Sequence, residues 1–269
     1  MLRKLIKHEF RATARIMWPI FGGMLALTLL MRFGAMLILE RYDSFFLNGI
    51  SVLTVMLFFA GLFALAFAPL VVSGSRFKSS VLGSEGYLTM TLPVSTNQML
   101  VSKLITNAVW YAATAVVFAL ILAVLSAEFV NMGDIGEIIS NLIRGLRHLK
   151  GAEIGHIALI LLELLLDAVV FVTLGTVLVY AAYAIGFSAN RHKSLWTVLL
   201  IYAFFHVVSY AGIATLILFG NKADRWVDFM TGLQGFEGFL AIVFALMFAL
   251  GAAFYAVTHY FLTRKLNLE

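Results

Sequence analysis

Residues 50–73 read ISVLTVMLFFAGLFALAFAPLVVS, twenty-four positions without a charge. A run of that length belongs in lipid, because about 20 apolar residues wound as a helix cross the ~30 Å hydrocarbon core of a bilayer. Lipid itself dictates the helix: it offers no partner to a free backbone N–H or C=O, and the run lacks the alternation of a barrel strand. Working outward, comparable runs are found at 16–38, 103–126, 166–187, 195–219 and 238–262. The whole chain agrees, with 62% of its 269 residues hydrophobic and 12% charged, against roughly 45–50% and about 25% in an ordinary soluble domain. The sequence therefore predicts an all-α integral membrane protein of six transmembrane helices, a single domain over 1–269 with no large soluble part.

The chain has no cysteine, which excludes disulfides, thiol catalysis and cysteine metal sites. The charged amino end leads straight into a full-length span without an A-x-A-like site, so no cleavable signal is expected. The basic pI of about 9.5 reads as loop placement, not as nucleic-acid binding. Arg3, Lys4, Lys7, Arg11, Arg15, Arg76, Lys78, Lys103, Arg191, Lys193, Arg264 and Lys265 make twelve basic residues on one side of the six spans. Arg32, Arg41, Arg144, Arg147, Lys150, Lys222 and Arg225 make seven on the other, together with nine of the fourteen acids, besides Glu163 and Asp167. The rule that cytoplasmic loops are the positive ones places both termini in the cytosol of a plasma-membrane protein. Trp18, Trp196 and Tyr260 then fall at inner helix ends and Tyr42 near an outer one, where amphipathic rings anchor helices.

Residues 1–15 carry Leu2, Leu5, Ile6 and Phe10 on one stripe, with Arg3, Lys4, Lys7 and Arg11 around the rest. This predicts a basic amphipathic helix lying among the inner lipid headgroups, which Pro19 turns into the bilayer. The outer connection 127–165 holds Ile138, Ile139, Leu142, Ile143 and Leu146 at helical spacing and predicts a short amphipathic helix. The outer segment 220–237 mixes glycines with Trp226, Phe229, Met230, Leu233 and Phe236, too apolar for a solvated loop, and is expected to dip back into the membrane before the sixth helix. No internal repeat or linker is evident.

Several chemistries are missing. Gly-Lys occurs nowhere, so no phosphate-binding loop is present, and ATP, if used, is bound by another chain. Paired intramembrane aspartates are absent too, since Asp167 stands alone, and the six histidines are scattered. No metal and no cofactor is expected on this chain. The charges set deepest in apolar sequence are Arg32, Glu163 and Asp167, and two readings stand for them. Glu163 and Asp167, four apart and on one helical face, either project from an outer extension of the fourth helix, with Arg32 snorkelling outward or pairing with one of them, or line a transport pathway.

The connection 74–102 differs in kind. Its stretch 83–95, GSEGYLTMTLPVS, offers turn-forming glycines at Gly83 and Gly86, a lone acid at Glu85 beside Ser84, and apolar contacts at Tyr87, Leu88, Met90 and Leu92. Pro93 stops what precedes it, and Ser95 with Gln98 forms an S-x-x-Q capping box opening a helix that runs through Lys103 into the third span. Such a segment suits docking onto a partner, with movement passed along a stiff rod.

The run from Glu85 through Leu92-Pro93-Val94-Ser95, then Gln98 and Ser102-Lys103-Leu104, resembles the cytosolic coupling segment of bacterial ABC-2 type transporter permeases. Where that pattern often has a basic residue after Pro-Val-Ser, this chain has Thr96. The resemblance implies an exporter half, not itself an enzyme, in which Ser84 to Pro93 dock on a separate ATPase. Two ATPase subunits carrying ATP and Mg, and a second permease, identical or homologous, would complete the assembly. Two other functions stay open: an ion-coupled secondary transporter using Glu163 and Asp167, and a non-transporting membrane anchor or immunity protein.

Overall fold

The computed structural model describes residues 1–39, 45–83, 85–86, 91, 93–127, 136–137, 140–141, 143–145, 151–189, 191–219 and 232–264. Among these residues the chain is all-helical, with no strand. Six long helices follow in order: α1 (Leu2–Leu39), α2 (Phe45–Phe77), α3 (Thr96–Ser126), α4 (Gly151–Phe187), α5 (Lys193–Phe219) and α6 (Leu233–Arg264). Each is long and apolar enough to cross a membrane, as in a multi-pass membrane protein. A π-helical turn, Lys78–Leu82, carries α2 onward.

Every expected span lies inside one of these helices, but the helices overrun the spans. α1 is one helix of 38 residues with Pro19 inside it, about 57 Å at 1.5 Å per residue. The expectation that Pro19 separates an interfacial helix from the first span is therefore not met. Proline withdraws one N–H from the ladder, and the buried side chains Met17 and Phe21 on either side of it hold the helix together. At the other loops the differences have the same sense. α4 starts at Gly151, so the last part of the 127–165 connection is helix, and α6 starts at Leu233, so residues 233–237 of the 220–237 segment are regular helix. Positions 220–231, with Trp226, Phe229 and Met230, and Ile138, Ile139, Leu142 and Leu146 lie outside the described residues.

The chain packs as two compact units, Met1–Ser75 with Val101–Ile143, and Arg76–Leu100 with Arg144–Glu269. In the first, Met17, Phe21 and Met24 of α1, Phe58, Leu65, Ala68 and Val72 of α2, and Trp110, Val117 and Ile121 of α3 form one core. Their spacing of three and four residues puts each set on one helical face. The opposite face of α1 stays apolar and exposed, with Trp18, Leu29, Leu30 and Phe33, the composition lipid demands. In the second unit α4 packs along α6 and against α5, and touches the π-helical turn. Gly186 sets the close approach of α4 to the start of α5: a Cβ there would lie 2.8 Å from the backbone N of Thr197 and against its hydroxyl.

Candidate functional site

The stretch that suggested docking is rooted in the second unit. Phe77, fully buried, stacks on Tyr180 of α4 at 4.2 Å between ring centroids, and the Lys78 ammonium lies 5.7 Å from the centre of the Phe187 ring. The hydroxyls of Ser79 and Ser80 both donate to the Arg76 carbonyl, which ties the π-helical turn to the end of α2. At Gly83 a Cβ would come within 2.9 Å of the Ser79 carbonyl oxygen, so only glycine lets the chain leave the turn there. Beyond it Glu85, an exposed acid, has Oε2 4.0 Å from Arg76 Nη1, a pair too long and too wet to contribute much stability. On the far side of the stretch the Gln98 N–H donates to Ser95 Oγ at 3.3 Å, capping α3. One residue earlier, the Tyr255 hydroxyl of α6 donates to Asn97 Oδ1 at 3.1 Å. The two ends of the stretch are thus fastened, one to α4 and the other to α6. Ser84, Tyr87, Leu88, Met90 and Leu92 lie outside the described residues; Gly86 is buried and Pro93 exposed.

The first unit holds a polar site that the sequence reading passed over. Lys103 of α3, only 4% exposed, donates from Nζ to Glu9 Oε1 of α1 at 2.9 Å. Two turns along α3, the Trp110 Nε1–H donates to Thr13 Oγ1 at 2.7 Å, while its ring stacks on Phe10 at 4.6 Å with planes 4° apart. Taking these ions out of water costs several kcal/mol each, and the pair repays it only because the geometry is close. A cavity of about 10 Å³, room for about one water, is lined here by Glu9, Ser73, Lys103, Thr106 and Asn107 among others. Of the residues assigned to the amino-terminal amphipathic stripe, Leu2, Leu5 and Ile6 are half-buried, Arg3, Lys4, Lys7 and Arg11 exposed, and Phe10, stacked on Trp110, is exposed as well. The signal for Glu9 was present: it falls on the apolar stripe between Ile6 and Thr13, where an acid needs a partner.

The third group of polar residues runs along α4. His156 Nδ1 and Glu237 Oε1 of α6 are 2.8 Å apart, and seven and eleven residues on from His156 come Glu163 and Asp167. Asp167 is 9% exposed and Glu163 half-buried; Asp167 Oδ1 and Glu163 Oε2 are both buried without a hydrogen-bond partner. Both acids stand well inside the 37-residue α4. Arg32 is half-buried on α1 in the first unit. No group of three or more His, Cys, Asp or Glu fit to hold a metal ion is present among the described residues. No family model, curated protein or solved structure matches the chain.

Proposed function

We propose that this chain is the transmembrane permease subunit of an ATP-binding cassette exporter of a bacterial plasma membrane, with both termini cytosolic. The reading is carried by the stretch Glu85–Ser95, which resembles the coupling segment of ABC-2 type permeases, and by the way its two ends are fastened, through Phe77 to Tyr180 and through Asn97 to Tyr255. A partner that grips such a stretch pulls on α4 and α6 together and on the capped start of α3. Two ATPase subunits, which would bind ATP and Mg, move the stretch as they close on nucleotide. The helix bundles of two permeases then rock to open a path between them. This chain performs no hydrolysis of its own.

Co-purification tests the reading. The tagged chain should capture an ATPase encoded beside it. Replacing Glu85, Tyr87, Leu88 and Leu92 together by alanine should reduce that capture at least tenfold. An undiminished complex with unchanged ATP-stimulated transport would refute the docking role.

A further inference from the structure

Glu163 and Asp167 of α4 have no counterpart in the coupling scheme. The acids and the histidine of this helix, Glu153, His156, Glu163 and Asp167, fall within about 80° of one another at 3.6 residues per turn. They share the stripe that continues through Val177, Ala181 and Ala184, all buried, whereas Leu161 and Leu165 on the other side are exposed. His156 shows which neighbour that stripe meets, because its partner is Glu237 of α6. The seam between α4 and α6 therefore gathers acids, and the His156 ring already has a partner. An acceptor-only group taken out of water needs a cation or donors, and intramembrane carboxylates mark pathways when they lack a structural partner. Asp167 is nine-tenths withdrawn from solvent and its Oδ1 has neither; Glu163, one turn away, is half-buried, with its Oε2 buried and likewise unpartnered.

We propose that Glu163 and Asp167 are the counter-charge for a cationic group on the transported molecule, which makes the substrate class an amphipathic organic cation. The apolar neighbours one turn either side, Ile160, Leu164, Leu166 and Val170, suit the apolar body of such a molecule. A metal ion is a poor fit, because no third ligand from His, Asp or Glu is gathered here among the described residues. The transport step rests on the permease reading, but binding does not.

Tetraphenylphosphonium, a permanent apolar cation, serves as the probe, in equilibrium dialysis with the purified full chain. Wild type should bind it saturably. Glu163→Gln with Asp167→Asn, which removes both carboxyl groups and keeps the shapes, should weaken binding at least tenfold. Tetraphenylborate, an anion of the same shape, should bind equally poorly to both proteins. Equal affinity of wild type and double variant for the cation, as when protons alone satisfy the carboxyls, would overturn the proposal; so would equal affinity of wild type for cation and anion. ATPase capture by the double variant is read separately: lost cation binding with normal capture supports the site and leaves the permease reading standing, whereas carboxylate-dependent binding without capture by wild type supports the site and removes that reading.

Discussion

Lys103 is the least expected residue of the chain, a basic side chain 96% withdrawn from solvent and held by Glu9 at 2.9 Å. Breaking one side of such a pair strands the other charge. Lys103→Met should therefore destabilise the protein by about 3–5 kcal/mol, while Glu9→Leu added to it should return most of the loss, since well-packed apolar replacements of a buried pair are near neutral. Thermal unfolding in detergent checks this: the single variant should melt well below wild type and the double variant close to it. A double variant as unstable as the single one would mean that the pair is not what Lys103 contributes. The sequence made half of this site legible. Lys103 was counted as a basic residue at the start of the third span, and its burial could not be foreseen because it depends on α1 lying alongside α3, a contact between residues ninety-four positions apart in the chain. Glu9 stands as one acid among five bases whose own pattern explains the helix, and only its place on the stripe of Ile6 and Thr13 marks it.

At the scale of the element, the six helices were legible from apolar length alone, because lipid leaves helix as the sole solution for such runs. Their ends were not. Composition marks where a chain must be apolar, but a helix goes on through polar residues as long as its ladder is paired. α4 accordingly starts at Gly151, fifteen residues before the expected span, and α1 starts at Leu2. The turn joining α4 to α5 makes a sharper claim. Gly186 faces the backbone of Thr197 and the Lys193 carbonyl, 3.0 Å from where its Cβ would stand, and backbone does not give way as a flexible side chain would. Gly186→Ala should cost about 1–3 kcal/mol. Gly175→Ala, eleven residues earlier on the same helix with nothing within 4 Å, should stay within about 1 kcal/mol of wild type, or gain from the better helix propensity of alanine. Unfolding of the two variants side by side separates a packing effect from a general intolerance of α4 to substitution.

For the whole molecule, the number of crossings and their direction are separable questions, and the absence of native cysteine lets one labelling experiment answer both. Lys7, Ser140 and Arg191 are exposed positions, at the amino end of α1, between α3 and α4, and between α4 and α5. If all six helices cross, four crossings separate Lys7 from Arg191, an even number, and three separate Lys7 from Ser140. Whatever the orientation, single cysteines at Lys7 and Arg191 must then behave alike and a cysteine at Ser140 oppositely. The excess of Lys and Arg near the amino end and the even-numbered connections adds the direction. A membrane-impermeant maleimide should label Ser140→Cys in intact cells and should label Lys7→Cys and Arg191→Cys only in inverted vesicles. The same reagent pattern for Ser140 and Arg191 would mean that α4 does not cross, which would break the seam with α6. The mirror-image pattern would keep six crossings but turn the stretch at 83–95 outward, beyond the reach of any ATPase that draws on cytosolic ATP.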